Sequence, residues 1–254
     1  MERATLPLLA RFARQHGLYL DRKGQRDCRP GKKCSWKDLN GNVHDLDYVL
    51  EKGGAVGKLG MPVAFIETAW RRYTKHSRNK AQEIQGAIIP LVETYRNSRP
   101  FMGAILAGEF TSGALTQLRS LGFTVLYFSY SSVVDVFRKH GIPAAFDEHT
   151  PDAELQKKVD LYERKSPDDR EAIAKALLTA HAKDVAGFIK SLKAAVSRQI
   201  ERIIVLPLHG SPRELATVAD AMNFIIGYDD HDGGGLVHRY EILIRYNNGD
   251  KIEG

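Results

Sequence analysis

Two stretches of the chain alternate polar and apolar residues with a period of two, and a glycine-rich segment separates them. The first stretch covers residues 45–51 and the second covers residues 62–70. This period is that of a β-strand, whose successive side chains point to opposite faces of a sheet. Because residues 53–60 between them contain four glycines, we predict a β-hairpin. The first strand has one solvent-facing side, which carries Asp45, Asp47 and Glu51.

Helices and strands alternate on both sides of this hairpin. Before it, apolar spacing predicts a helix over residues 4–16, and a loop rich in Arg, Lys and Gly over residues 22–42. After it, a helix begins near Ser77 and kinks or restarts at Pro90. The pattern then continues as strand 100–106, helix from Thr111 or Ser112 to Gly122, strand 123–130 and helix 131–140. Such alternation is typical of βαβ units, so we expect a largely parallel sheet here.

The chain changes character after residue 150. Residues 151–199 show helical spacing without a strand pattern, which predicts two or three helices that form a cap or insertion. The sheet resumes at residues 203–208, and a helix over 212–226 and a strand over 237–246 follow. The expected fold class is therefore α/β, with a mixed central sheet flanked by helices. We expect a single domain over residues 1–254.

Composition and charge narrow the class of protein. Of the 254 residues, 43% are hydrophobic and 27% are charged, as in globular proteins that fold in water. No apolar run approaches the ~20 residues of a membrane span, and the first residues lack a signal-peptide pattern. We therefore expect a cytoplasmic location and no membrane partner. The net charge of +6 favours polyanionic partners. The cysteines, Cys28 and Cys34, fit no zinc motif and are expected to be free thiols on a flexible loop.

Two acidic residues of the predicted hairpin form a candidate metal site. Asp47 lies on the first strand and Glu67 lies 20 positions later on the second, so pairing of the strands can bring the two side chains together. Two carboxylates that are held close repel each other, and a divalent cation relieves that repulsion. Carboxylate oxygens suit a hard ion such as Mg²⁺, which binds proteins through one or two carboxylates and keeps several waters. The sequence therefore predicts a Mg²⁺ site at Asp47 and Glu67.

A strongly basic segment follows the second strand directly. Five of the eleven residues from Trp70 to Lys80 are Lys or Arg, and two aromatic residues lie among them. A helix that begins near Ser77 points free backbone N–H groups at the preceding chain, which favours an anion there. Metal-binding carboxylates beside such a segment suit the cleavage of a phosphodiester. The predicted DNA contacts are Arg71, Arg72, Lys75 and Arg78.

This order of residues resembles the core of the PD-(D/E)XK, restriction-endonuclease-like nucleases. Asp47 matches the metal-binding Asp of that family, Glu67 matches its second acidic ligand, and a basic helix follows. The resemblance covers residues 45–130, the catalytic core, and implies a restriction-endonuclease-like fold. Two positions depart from the pattern: Leu46 replaces the motif proline, and Ala69 stands where the family has its catalytic lysine.

Some family members supply that lysine from the following helix, and the resemblance makes Lys80 the candidate here. Glu83 lies three residues further on, where some members place an additional carboxylate, and Gln82 and Gln85 can also face the site. Arg71 shares the Glu67 side of its strand and is the rival for the cationic role. The catalytic set implied by the resemblance is Asp47, Glu67, Lys80 and Glu83.

The resemblance implies a Mg²⁺-dependent endonuclease that cuts double-stranded DNA, in the manner of a type II restriction enzyme. A homodimer follows from function, because two cuts on a duplex usually need two active sites. A repair or junction-resolving nuclease of the same fold and a catalytically inactive DNA-binding module remain open. At three other polar positions we expect no role in catalysis. Asp45 is expected to be a solvent-facing strand residue, His209 a structural histidine, and residues 229–235 an ordinary turn.

Overall fold

The structure is a computed structural model that describes residues 2–74, 77–208, 210–228 and 239–254. The predicted DNA contact Lys75, the histidine His209 and the Asp- and Gly-rich turn at 229–235 lie outside these residues. Contacts divide the chain into two compact units, residues 1–196 and residues 197–254. Each unit is described by itself, and the single-domain organisation stays a prediction.

The first unit combines strands and helices in alternation. It begins with α1 (Glu2–Gln15), β1 (Leu18–Arg22), β2 (Cys34–Lys37), β3 (Val43–Leu46), β4 (Tyr48–Lys52) and β5 (Met61–Arg71). It continues with α2 (Ser77–Thr94), β6 (Phe101–Gly108), α3 (Ser112–Ser120), β7 (Thr124–Ser129) and α4 (Tyr130–Lys139). It ends with α5 (Asp152–Glu163), α6 (Pro167–Ala180) and α7 (Ala182–Val196). The three helices α5 to α7 confirm the predicted helical content of residues 151–199, and α2 runs through Pro90 as one helix.

A five-stranded mixed sheet forms the centre of this unit. Its strand order is β1-β4-β5-β6-β7. The pairs β1–β4 and β4–β5 are antiparallel, whereas β5–β6 and β6–β7 are parallel. The predicted hairpin, the parallel stretch and the α/β class are therefore confirmed.

Helices cover both faces of this sheet because its strands are apolar on both sides. On one face, Ile66 and Leu50 pack with side chains of α1, α6 and α7, including Leu9, Leu177 and Phe188. On the other face, Phe65, Val49 and Ala69 pack with residues of α2 and α3, including Ile84, Ile88, Leu115 and Leu118. The buried apolar residues of β5 from Ala64 onward thus belong to different cores at even and odd positions. This parity decides which side of the sheet each site residue occupies.

Two predictions about the first hairpin strand and the preceding loop are wrong. Residues 45–51 do not form one strand, because the chain bends at Asp47 between β3 and β4. Glu51 does not face water, since it is fully buried against Arg26. Residues 22–42 are not a plain flexible loop either: they contain β2, where the free thiol of Cys34 is buried.

A buried ion-pair network holds this basic loop against the sheet. The guanidinium of Arg26 binds Glu51 Oε1 at 2.5 Å and Asp21 Oδ2 at 2.9 Å. It also donates to the backbone carbonyls of Ala55 and Lys58. Arg29 binds the other oxygen of Asp21 at 3.0 Å. Buried charges are tolerated when they are paired and hydrogen-bonded in this way.

The second unit is a separate antiparallel sheet with one helix, so the prediction that the central sheet resumes at residues 203–208 is wrong. It contains β8 (Ile200–Pro207), β9 (Arg213–Leu215), α8 (Val218–Ile226), β10 (Tyr240–Tyr246) and β11 (Lys251–Glu253), with the strand order β11-β10-β8-β9. The helix predicted over 212–226 is therefore wrong in its first part. Residues 213–215 pair with β8 instead, and the helix begins after the capping residue Thr217. Among all described helices of the chain, none is long and apolar enough to cross a membrane.

Candidate active site

The pairing of β4 with β5 brings Asp47 and Glu67 side by side. Tyr48 lies opposite Ile66 in the antiparallel ladder, so Asp47, one residue before Tyr48, faces Glu67, one residue after Ile66. The backbone N–H of Asp47 donates a hydrogen bond to Glu67 Oε1 at 3.1 Å. The two acidic residues predicted from the sequence are therefore neighbours across the hairpin.

Thr68 fixes the carboxylate of Asp47. Its backbone N–H and its hydroxyl both donate to Asp47 Oδ2, at 2.8 Å and 2.7 Å. These bonds are made possible by the bend at Asp47, which interrupts the strand pattern. Within the described residues, neither Asp47 Oδ1 nor Glu67 Oε2 has a hydrogen-bond partner. Each carboxyl group thus keeps one oxygen for a further ligand.

The carboxyl group of Glu67 lies in a poorly hydrated position, since the residue is only 8% exposed. Burial and, after it, the negative charge of Asp47 raise the pKa of Glu67 to about 8, and the positive charge of Lys80 opposes this rise. Burial disfavours the ionised form of a carboxyl group, and a like charge beside it adds to this effect. A cation bound between the two carboxylates would remove it.

The donor set matches the preference of a hard divalent ion for carboxylate oxygens. Among the described residues, no three His, Cys, Asp or Glu side chains cluster closely enough to form a metal centre. Two carboxylates with water completing the shell are a coordination that Mg²⁺ accepts.

Two cations and a third carboxylate meet where β5 is followed by α2. Lys80 Nζ lies 3.0 Å from Glu83 Oε2 on α2, and Arg71 Nη2 lies 3.6 Å from the same oxygen. The charge of Lys80 reaches Glu67, because it lowers the pKa of that carboxyl group. The structure thus brings together Lys80 and Glu83 of the predicted catalytic set and Arg71, the rival of Lys80.

The position of the missing motif lysine is part of the core. Ala69 is 5% exposed and packs with Ile84 and Leu106 against α2. Among the neighbouring predictions, Gln85 does not point freely into the site, since its Oε1 accepts a hydrogen bond from Gln117 at 3.2 Å. Asp45 pairs with the exposed Lys33 at 2.6 Å, as expected of a solvent-facing strand residue.

The predicted DNA contacts differ in their surroundings. Arg72 is partly buried and tied to the protein itself: its guanidinium donates to the backbone carbonyl of Phe146 and stacks 4.1 Å from the ring centre of Tyr130. Arg78 is exposed on the first turn of α2, and Arg71 is partly exposed at the end of β5. Arg78 is therefore open to a ligand, whereas Arg71 donates to the carbonyl of Trp70 at 3.0 Å and pairs with Glu83.

Sequence reasoning missed two contributors to this site. Thr68 was overlooked because its role depends on the bend at Asp47, which the strand pattern hides. The end of β1 was overlooked because residues 18–22 are a short strand next to a helix. A cavity of about 190 Å³ connects this strand end with Asp47, and its lining is Glu2, Leu6, Arg22, Lys23, Asp47 and Tyr48.

Comparison with known proteins does not identify a family for this chain. No protein-family model matches the chain, and no curated protein matches it. Among solved structures, it is similar to the crystal structure of a protein of unknown function, AF1548, at 12% identity and a TM-score of 0.30. The match covers 74% of this chain and 100% of that one. A likeness of this size identifies neither a fold family nor an activity.

Proposed function

We propose that this chain is a Mg²⁺-dependent DNA endonuclease with a restriction-endonuclease-like fold, of the type II restriction kind. The observation that carries the proposal is the contact between Asp47 and Glu67 across the hairpin, together with the pKa of Glu67 at about 8. Two carboxylates that crowd each other in a buried position favour a bound divalent cation.

Asp47 Oδ1 and Glu67 Oε2 are the oxygens we assign to the metal. When bound there, Mg²⁺ would acidify a water and neutralise charge on a phosphate. Thr68 orients Asp47 through its two hydrogen bonds. A carboxylate held in one geometry by such contacts needs no rearrangement to bind.

Lys80 takes the role of the motif lysine in this proposal. Its ammonium group acts on Glu67 electrostatically and is 20% exposed, so it is partly sheltered from water. Glu83 pairs with both Lys80 and Arg71. A positive charge placed there would stabilise the extra negative charge of a phosphate under attack. Arg71, Arg78 and Lys75 are proposed to contact double-stranded DNA, and a homodimer would cut both strands.

Incubation with plasmid and phage DNA in Mg²⁺ tests the proposal. We expect discrete fragments from the wild type, none from Glu67→Ala or Lys80→Ala, and normal cutting by the control Glu93→Gln, which changes an exposed carboxylate of α2. Cutting only of branched DNA would instead indicate a junction-resolving nuclease. Absence of cutting on every substrate, at matched protein folding, contradicts the proposal.

A second candidate is a DNA-binding module without catalytic activity. It is favoured by one observation: the position of the motif lysine holds Ala69, buried in the core. This candidate requires DNA retention that EDTA leaves unchanged and that Glu67→Ala does not alter.

A further inference from the structure

We propose that Arg22 and Lys23, at the end of β1, form a subsite for a backbone phosphate of the nucleic-acid substrate, beside Asp47. This inference rests on the proposed function and deepens it, because it names where a charged group of the substrate lies. Neither residue belongs to the hairpin or to the basic segment that follows it.

The sheet places these two cations next to the carboxylate pair. Arg22 lies opposite Tyr48 in the β1–β4 ladder, as its last pair. Lys23 is one position further along and so extends the chain on the Asp47 side of that pair. Arg22, Lys23, Asp47 and Tyr48 line one cavity of about 190 Å³. A ligand in this cavity therefore lies beside the two cations and the acidic residues Asp47 and Glu2.

Both side chains are available to a ligand. Arg22 and Lys23 are exposed, and across the described stretches neither takes part in an ion pair within 4.0 Å. This is notable because Glu2 and Asp47 line the same cavity. In contrast, Lys80 and Arg71 on the other side of the site are both bound to Glu83.

The backbone under these cations is held firmly. The carbonyl of Arg22 accepts a hydrogen bond from Arg29 Nη2 at 2.7 Å, and its N–H donates to Asp21 Oδ1 at 2.9 Å. The N–H of Gly24 donates to the carbonyl of Lys32 at 2.7 Å. A binding group on a fixed backbone loses less entropy when its ligand arrives.

The charges are complementary to a metal ion with a phosphate. Adjacent cations repel each other, as the two carboxylates do, and each pair is relieved by the opposite charge. A divalent ion bound at Asp47 and Glu67, next to a phosphate bound at Arg22 and Lys23, would relieve the repulsion within both pairs. The first turn of α1, which begins at Glu2, adds the positive end of a fourteen-residue helix to the cavity wall.

Binding of thymidine 3′,5′-bisphosphate tests the subsite without any need for cleavage. Calorimetry in Mg²⁺ would compare the wild type with Lys23→Met, Arg22→Met and the control Lys32→Met, an exposed lysine on the same loop. We expect about tenfold weaker binding in the first two variants, typical of losing a charge-assisted contact, and a change below about twofold in the control. Equal binding by all four proteins, or no binding by the wild type, overturns the subsite.

Cleavage and duplex binding provide a second readout that separates this inference from the proposed function. With a DNA duplex, we expect Lys23→Met to lower the slope of log affinity against log salt by about one. If the wild type cuts no DNA while the bisphosphate result holds, the nuclease proposal fails and the phosphate subsite stands. If the wild type cuts DNA and Lys23→Met and Arg22→Met cut equally fast, the subsite is wrong and the nuclease proposal stands.

Discussion

The backbone N–H of Asp47 donates to Glu67 Oε1 over 3.1 Å, across the end of a β-hairpin. This bond uses one oxygen of Glu67, and Thr68 uses one oxygen of Asp47. What remains is one oxygen of each carboxyl group, with Glu67 buried and Asp47 partly buried. The predictions below follow from that relationship and from the cations around it.

Metal binding should release a proton from Glu67. Because burial and the charge of Asp47 raise the pKa of this group to about 8, it is mostly protonated at pH 7, and the metal must displace that proton. We expect release of about one proton per Mg²⁺ at pH 7 and affinity that rises about tenfold per pH unit until pH 8. Calorimetry in buffers of different ionisation enthalpy measures this number. Zero release at pH 7 would contradict the raised pKa.

Replacement of Glu67 by Gln should stabilise the metal-free protein at alkaline pH. Folding raises the pKa of this carboxyl group from its ordinary 4.5 to about 8, so the folded protein loses stability as pH rises between these values. The unfolded chain ionises first in this window, and the full penalty is present above pH 8. Thermal unfolding in EDTA should therefore show a wild-type Tm that falls from pH 5 to pH 8 by more than that of Glu67→Gln. Parallel curves would show that Glu67 is not perturbed.

Loss of the ammonium group of Lys80 should slow cleavage without preventing DNA binding. We expect Lys80→Met to reduce the rate at saturating DNA by about 10²-fold, the usual effect of removing one group that stabilises transition-state charge. Glu83→Gln should have a smaller effect, because it only loosens the positions of Lys80 and Arg71. Single-turnover kinetics separate the rate from the affinity. A Lys80→Met enzyme with wild-type rate but weak binding would show that Lys80 binds DNA and does not act in catalysis.

The buried network around Arg26 should be required for stability. Arg26→Met leaves Glu51 buried without its cationic partner and leaves Asp21 paired with Arg29 alone, which costs about 3–5 kcal/mol of unfolding free energy. Denaturant unfolding measures this loss, and the exposed Lys32→Met provides the control. A difference below about 1 kcal/mol between the two variants would mean that the network is replaceable.

The same network should weaken in acid. Burial raises the pKa of Asp21, but hydrogen bonds from Arg29 and Cys34 and the charges of Arg26 and Arg29 outweigh it and leave the pKa below the ordinary 3.8. Its contribution is therefore present above pH 3.8 and is lost as pH falls through the lower folded pKa. Asp21→Asn should remove this part of the acid unfolding transition. An unchanged acid transition in that variant would exclude Asp21 as its source.

The sequence was sufficient to predict the hairpin, its two carboxylates and the following basic helix, because these depend on local periodicity. A slip of one residue would turn every apolar side chain of a strand to the opposite face, so the alternation restricts the possible registers. The bend at Asp47 was not predictable, since the alternation of residues 45–51 continues through it. It depends on the contacts that Thr68 makes from the other strand.

Contacts between distant residues account for what the sequence did not reveal. Arg26 and Glu51 are separated by 25 positions, so a basic loop and a strand with an acidic end each resembled a solvated surface. Lys23 and Asp47 became neighbours only through the pairing of β1 with β4. A charged residue can be assigned to a core, a site or the surface only when its spatial partners are known.

The stoichiometry of Mn²⁺ binding, measured from the free-ion signal by electron paramagnetic resonance, tests the central claim most directly. Mn²⁺ accepts the same carboxylate and water ligands as Mg²⁺. We predict one ion per chain in the wild type and in Glu93→Gln, and loss of that ion in both Asp47→Asn and Glu67→Gln. Undiminished Mn²⁺ binding by Asp47→Asn and Glu67→Gln would contradict the assignment of the metal to these two residues.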